Sequence, residues 1–170
     1  MSEQNGWESI NVYRLNLEID KTVKIPKEKP VYEPTDARDV VNLVLDLNNS
    51  AVEKFGFIAL NKYRKVIGLQ VMAVGSENKA IIDEKLIARA VVLSLADGII
   101  LFHNHPSGDV RPSKDDIELT KKIINTIPNV GIPVYDHIIV MFDKYYSMFE
   151  NDDCDFPPPV TGIPIGNIWT

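Results

Sequence analysis

Two of the chain's three histidines, His103 and His105, stand one residue apart in "LFHNHPSGDVRPSKDD" (residues 101–116), with several carboxylates following. On a strand, residues i and i+2 point to one face about 6 to 7 Å apart, so both imidazoles can converge on a single ion. Asn104 then points away. Zinc takes neutral imidazole nitrogens at about 2.0 to 2.1 Å, and a catalytic site usually has three protein ligands and an open fourth position. A third ligand must therefore lie nearby. Asp116 leads, because the "PSGDVRP" loop, with one Gly and two Pro, can turn the first turn of the next helix toward the strand end; Asp109, Asp115 and Asp136 compete for the role. Each piece also has a purely structural explanation. A His-x-His pair is often a pair of hydrogen-bonded strand residues, Ser113-Lys-Asp-Asp116 has the form of a helix capping box, and Pro106 and Gly108 are ordinary turn residues.

The surrounding pattern supplies elements to position these groups. "IILFHNH" is a nearly continuous apolar run, as expected for a strand covered on both faces. Ser113 begins a helix with Ile117, Thr120, Ile123, Ile124 and Ile127 on its inner side, closed by Pro128. Upstream, Thr35 or Asp36 can cap a helix whose Val40, Val41, Val44 and Leu45 share a face and which "NNS" ends. "EKFGFIALNKYRKVIGLQVMAVGS" reads as a hairpin with a loop of about five residues, both arms apolar enough to lie inside the sheet. Asp83 caps a second helix running to about Ala96, with Gly98 just past its end. "IPVYDHIIVMF" and "YYSMFE" form a final strand pair. Residues 1–34 read as an arm ending in "KIPKEKPVYEP", with "INVYRLNLEI" as a short edge strand that could pair between chains. Residues 151–170 form a Pro-rich tail in which Trp169 and Ile165 could dock.

The 170 residues are 45% hydrophobic and 25% charged, an ordinary composition for one folded domain. A net charge of -6 offers no global attraction to phosphate backbones or anionic membranes, so nucleic acid is a partner that charge does not favour. The lone Cys154 can make neither an internal disulfide nor a Cys-pair zinc site. The N-terminus lacks the pattern of a secretion signal, and "LIARAVVLSLADGIILF" is interrupted by Arg89 and Asp97 and too short to span a bilayer. A cytoplasmic location is the simplest expectation.

Taken in order, His103-x-His105-Pro106, six residues, Ser113, two residues and Asp116 reproduce the spacing of the JAMM (MPN+) metalloprotease motif. "HNHPSG", "PSKDDIELTKKI", "GIPVYDHIIV" and "YYSMFE" further resemble the RadC-like branch, historically labelled a DNA repair protein. The resemblance covers about residues 36–150. It implies an α/β (α+β) fold, a single JAMM/cytidine-deaminase-like domain over residues 35–150 with a mixed sheet flanked by helices. It implies zinc held by His103, His105 and Asp116 with water completing the tetrahedron, and Ser113 as an oxyanion donor. The family also uses an upstream glutamate as proton acceptor, and Glu53 of "VEKFGFIALN" sits where RadC-like sequences carry it; Glu77 and Glu84 are alternatives in a loop and at a helix start. Asp136 and His137 are candidates for contacts to the imidazoles' outer nitrogens, although a satisfied core histidine is the simpler reading of His137. Two departures are evident: "GSENKAIIDEKLIARAVVLS" lacks the common Pro-Arg-Glu sequence, and the helix-hairpin-helix region of full-length RadC proteins is not seen, which weakens an inherited DNA-binding role.

The expected activity is therefore zinc-dependent cleavage of a peptide or isopeptide bond in a protein or peptide substrate. The alternative is a DNA-repair-associated or non-enzymatic binding module. Two histidines and a carboxylate also hold non-haem iron(II) in oxygenases, but usually in jelly-roll barrels without this helical content. Zinc deaminases require a Cys pair, and the tripeptide "HNH" lacks the wide spacing of the nuclease motif of that name.

Overall fold

A computed structural model describes residues 18–25, 30–47, 50–75, 83–141 and 143–156. In chain order these form α1 (Pro34–Leu45), β1 (Glu53–Leu60), β2 (Val66–Gly75), α2 (Glu84–Leu93), β3 (Gly98–His103), α3 (Lys114–Thr126), a 3-10 turn (Ile127–Val130), β4 (Val134–Met141) and β5 (Lys144–Ser147). One mixed five-stranded sheet has the order β2-β1-β3-β4-β5. The β3–β4 pair is parallel, and the others are antiparallel.

Alternation along the strands splits the core into two layers. Phe55, Phe57, Ala59, Ile99, Leu101 and Ile139 pack with Ile87 and Val91 of α2 and Ile123 and Ile124 of α3. Ile58, Leu60, Ile100, Phe102, Ile138 and Val140 pack with Ala37 and Val41 of α1. Covered from both sides, β3 is buried along its whole length, as its apolar run requires.

Several local expectations are corrected. Pro34 is the first residue of α1, where its missing N–H is no loss; Glu33 is the N-cap, and its backbone N–H donates to Asp36 Oδ2 (3.1 Å). That helix ends at Leu45, before "NNS", on an Asp46 in the left-handed region (φ 47°). The hairpin loop is the expected Asn61–Lys65, but among the described residues β2 is an edge strand with Ile67, Gln70 and Val74 exposed, rather than lying inside the sheet. Asp83 does cap α2, accepting from Lys85 N (2.9 Å), yet the helix stops at Leu93. Leu95 takes the left-handed turn (φ 57°), and Gly98 opens β3 beneath the Tyr135 ring, where a side chain would not fit. Of "YYSMFE", only Tyr145–Ser147 are extended. Cys154 packs into the core, so the tail docks at least that far. Residues 10–17 of the proposed edge strand, Glu77, Ile165 and Trp169 lie outside the described residues. No helix among the described residues is long and apolar enough to cross a membrane.

Two interactions test this packing. A Cβ on Gly56 would run into the Gln70 carbonyl oxygen and the Phe102 ring, both in the tightly packed sheet. Gly56→Ala should cost about 1 to 3 kcal/mol, seen as a lowered denaturation midpoint at unchanged m-value. On β4, the buried Asp136 carboxyl accepts from His137 N (2.6 Å), Ser147 Oγ (2.6 Å) and Phe149 N (3.0 Å), tying β4 to the turn after β5. Burial pushes this carboxyl up to about 7 against the pull of those donors. The folded state therefore holds the proton more tightly than the unfolded one, whose carboxyl ionises near 3.8. This contribution to stability is full below 3.8, falls as pH rises to about 7, and is constant above it. Asp136→Asn, whose amide can accept from the two N–H groups and donate to Ser147, should flatten that decline; parallel slopes for both proteins between about pH 4 and about pH 7 would exclude it.

Candidate metal site

The sheet topology brings the sequence's scattered candidates to one end. Antiparallel pairing sets the start of β1 beside the end of β3, with Phe55 opposite His103 as the last rung. The chain then leaves the strand, so His105 lies in the loop rather than on β3 as its spacing suggests. The loop leads directly into α3, whose first turn carries Asp116. One ligand atom from each of Glu53, His103, His105 and Asp116 falls within 4.8 Å of the others, and the group could hold a metal ion. Asp109, Asp115, Asp136 and Glu84 are not in it.

A capping box fixes the helix end of the site. Ser113 Oγ accepts from Asp116 N (3.2 Å), while Ser113 N donates to Asp116 Oδ2 (2.7 Å). The structural explanation of this spacing is therefore correct, and the same bonds orient the Asp116 carboxylate toward the histidines. Its oxygens lie 3.7 Å from His103 Nε2 and 3.5 Å from His105 Nε2. Burial tends to raise the Asp116 carboxyl, but the adjacent His103 and His105 rings and the bond from Ser113 N outweigh it and hold it well below the usual carboxylate range. The nearby Asp116 carboxylate favours a protonated imidazole and so raises His105 above its ordinary value, against partial burial.

Hydrogen bonding on the outer nitrogens decides what the inner ones present. His105 Nδ1 lies 2.6 Å from the Asp109 carbonyl oxygen, which can only accept, so this nitrogen carries the proton. His103 Nδ1 lies 2.8 Å from His137 Nε2, and His137 Nδ1 lies 2.5 Å from Thr120 Oγ1. Thr120 Oγ1 in turn donates to the Asp116 carbonyl oxygen (2.6 Å). With that bond made, His137 Nδ1–H donates to Thr120 and His103 Nδ1–H donates to His137. Both Nε2 atoms, only 2.9 Å apart, then present bare lone pairs to each other and to two carboxylates. Acceptors converging without a donor repel unless a cation lies among them, so the donor set fits a metal ion.

His137 is thus both a satisfied core histidine, fully buried, and the partner of His103. Burial first, then the neighbouring His103, holds its pKa well below the ordinary value, so it is neutral. Asp136, the other candidate for an outer contact, bonds instead to β4, Ser147 and Phe149. Asp109 offers the site its backbone carbonyl, while its carboxylate pairs with Arg111 (2.7 Å), whose hydrogen bonds hold it down at about 2. In the sequence Thr120 looks like packing, a hydroxyl on an inner helical face; its position one turn after Asp116 is the signal that it can reach the site.

Residues 32–153 match the family described as RadC-like JAB domain. A UPF0758 protein of Caldanaerobacter subterraneus subsp. tengcongensis is 31% identical over 141 residues, covering 82% of this chain and 60% of that protein. A UPF0758 protein of Staphylococcus carnosus is 37% identical over 140 residues, covering 82% and 62%. One from Methanosarcina barkeri is 31% identical over 138 residues, covering 81% and 58%. The chain thus spans about 60% of the length of these curated relatives. With the matched region running from just before α1 to beyond β5, the chain belongs to the RadC-like JAB domain family.

Proposed function

We propose that this domain is a zinc-dependent hydrolase that cleaves a peptide or isopeptide bond in a protein or peptide substrate. The observation carrying this reading is the convergence of two imidazole nitrogens and a helix-capping carboxylate beside Glu53. Two nitrogens and a carboxylate oxygen suit zinc, with His103, His105 and Asp116 as ligands. A zinc ion there supplies Lewis-acid polarisation of a carbonyl and acidification of a coordinated water.

The chain's own groups divide the remaining work. Glu53, exposed at the first position of β1, takes a proton from the attacking water and returns it to the leaving amine. Its solvent-facing position suits a group that must exchange protons with a passing substrate. Ser113 caps α3 through an oxygen lone pair, leaving its hydroxyl proton to be directed at the oxyanion. Removing such a donor typically costs about 100- to 1000-fold in rate. His137 and Thr120 hold the His103 ring in the tautomer that presents Nε2 inward.

Protein purified without a His tag should contain about one equivalent of zinc; less than about a tenth of an equivalent, with no gain on reconstitution, would sink the site. Glu53→Gln should retain zinc and lose chelator-sensitive peptide cleavage, and unchanged turnover would remove Glu53 from the mechanism. His137→Gln should weaken zinc binding by about 10- to 100-fold, read by competition with a chromogenic chelator. Wild-type affinity in that variant would reduce His137 to a packing role.

A further inference from the structure

Asn104, between the two histidines, is 4% exposed, and its carboxamide reaches back to β1. Its Oδ1 accepts from Lys54 N (2.8 Å) and its Nδ2 donates to Val52 O (3.1 Å). Lys54 N can only donate and Val52 O can only accept, so the orientation of the amide is forced. These two backbone groups flank Glu53 on either side. The β1–β3 ladder has ended one rung earlier, at Phe55 and His103, because β3 must peel away to carry His105 into the loop. Among the described strands, Glu53 would otherwise stand at a strand end held by β2 alone, through its pairing with Gly75.

We propose that Asn104 is the positioning residue for Glu53. Its side-chain amide presents one carbonyl and one N–H, the pair that a peptide unit of β3 would have offered an antiparallel neighbour. One buried side chain thus continues the ladder past the point where the backbone departs. The two histidines are free to turn toward Asp116, and the backbone on both sides of Glu53 stays clamped to the strand that carries them. This rests on reading Glu53 as the proton acceptor, a group that must be held to within about 0.5 Å to work.

The full chain loaded with cobalt(II) tests it without a known substrate, because the pH midpoint of its visible bands senses the carboxylate beside the ion. Glu53→Gln should move that midpoint by about half a pH unit or more. Asn104→Ala should move it in the same direction by more than about half as much, with cobalt affinity within about threefold of wild type, and the double variant should move no further than Glu53→Gln alone. Asn104→Ser, which adds no charge but is too short to bridge Lys54 N and Val52 O, should give the same shift and takes the place of Asn104→Ala where the latter does not fold. An unmoved midpoint in the folded Asn104 variants, with only a lower melting temperature, would overturn the positioning role. An unmoved midpoint in Glu53→Gln would instead remove Glu53 as the acceptor, and the role of Asn104 with it. In the wild-type chain, the Lys54 amide should be protected from hydrogen exchange; free exchange there overturns the clamp without any variant.

Discussion

Everything at the candidate site depends on where the antiparallel ladder between β1 and β3 stops. Were it to continue past Phe55 and His103, His105 would remain in the sheet and α3 would start too far along to present Asp116. Ending it there lets the chain turn through the Pro- and Gly-containing loop, where Gly108 adopts a positive φ (89°) and leaves little room beside Met141. The parallel pairing of β3 with β4 requires a crossover, and α3 is that crossover. Its N-terminus is consequently held at the carboxyl end of β3, the usual location of ligand sites in sheets of this kind.

A second constraint is electrostatic. The inner side of the site is all acceptor, and the outer side is a hydrogen-bonded chain from His103 through His137 and Thr120 to the Asp116 carbonyl. Phe55 packs against both buried rings, edge-on to His137 and tilted to His103, and helps keep water from the outer nitrogens. A cation and a proton therefore compete for the same lone pairs. The raised pKa of His105 is the protein's response when the proton takes that place.

Much of this was legible in the residues. The helix starts at Asp83 and Ser113, the Asn61–Lys65 hairpin loop, and the buried character of β3 follow from local capping chemistry and hydrophobic pattern. The limits were equally physical. Apolar residues on both arms of a hairpin do not reveal which arm is the edge, and among the described strands β2 is the one at the edge. Gly98 looked like a helix terminator because the pattern cannot distinguish a left-handed cap from a close approach of two strands and a ring. For Asn104 the spacing says that it faces away from the histidines and no more, because spacing gives a side chain's face and not its partner.

The sequence by itself determined the set of chemical groups: two imidazoles, a carboxylate three residues after a capping serine, and an upstream glutamate, with strands and helices to carry them. Only the tertiary structure decided that Glu53 joins the other three, because a separation of 50 residues closes only through strand register. It also decided that His137 supports His103 while Asp136, its neighbour, serves the β4–β5 connection. Adjacent residues on a strand face opposite ways, and which face meets the site depends on the sheet's pairing, not on the order of residues.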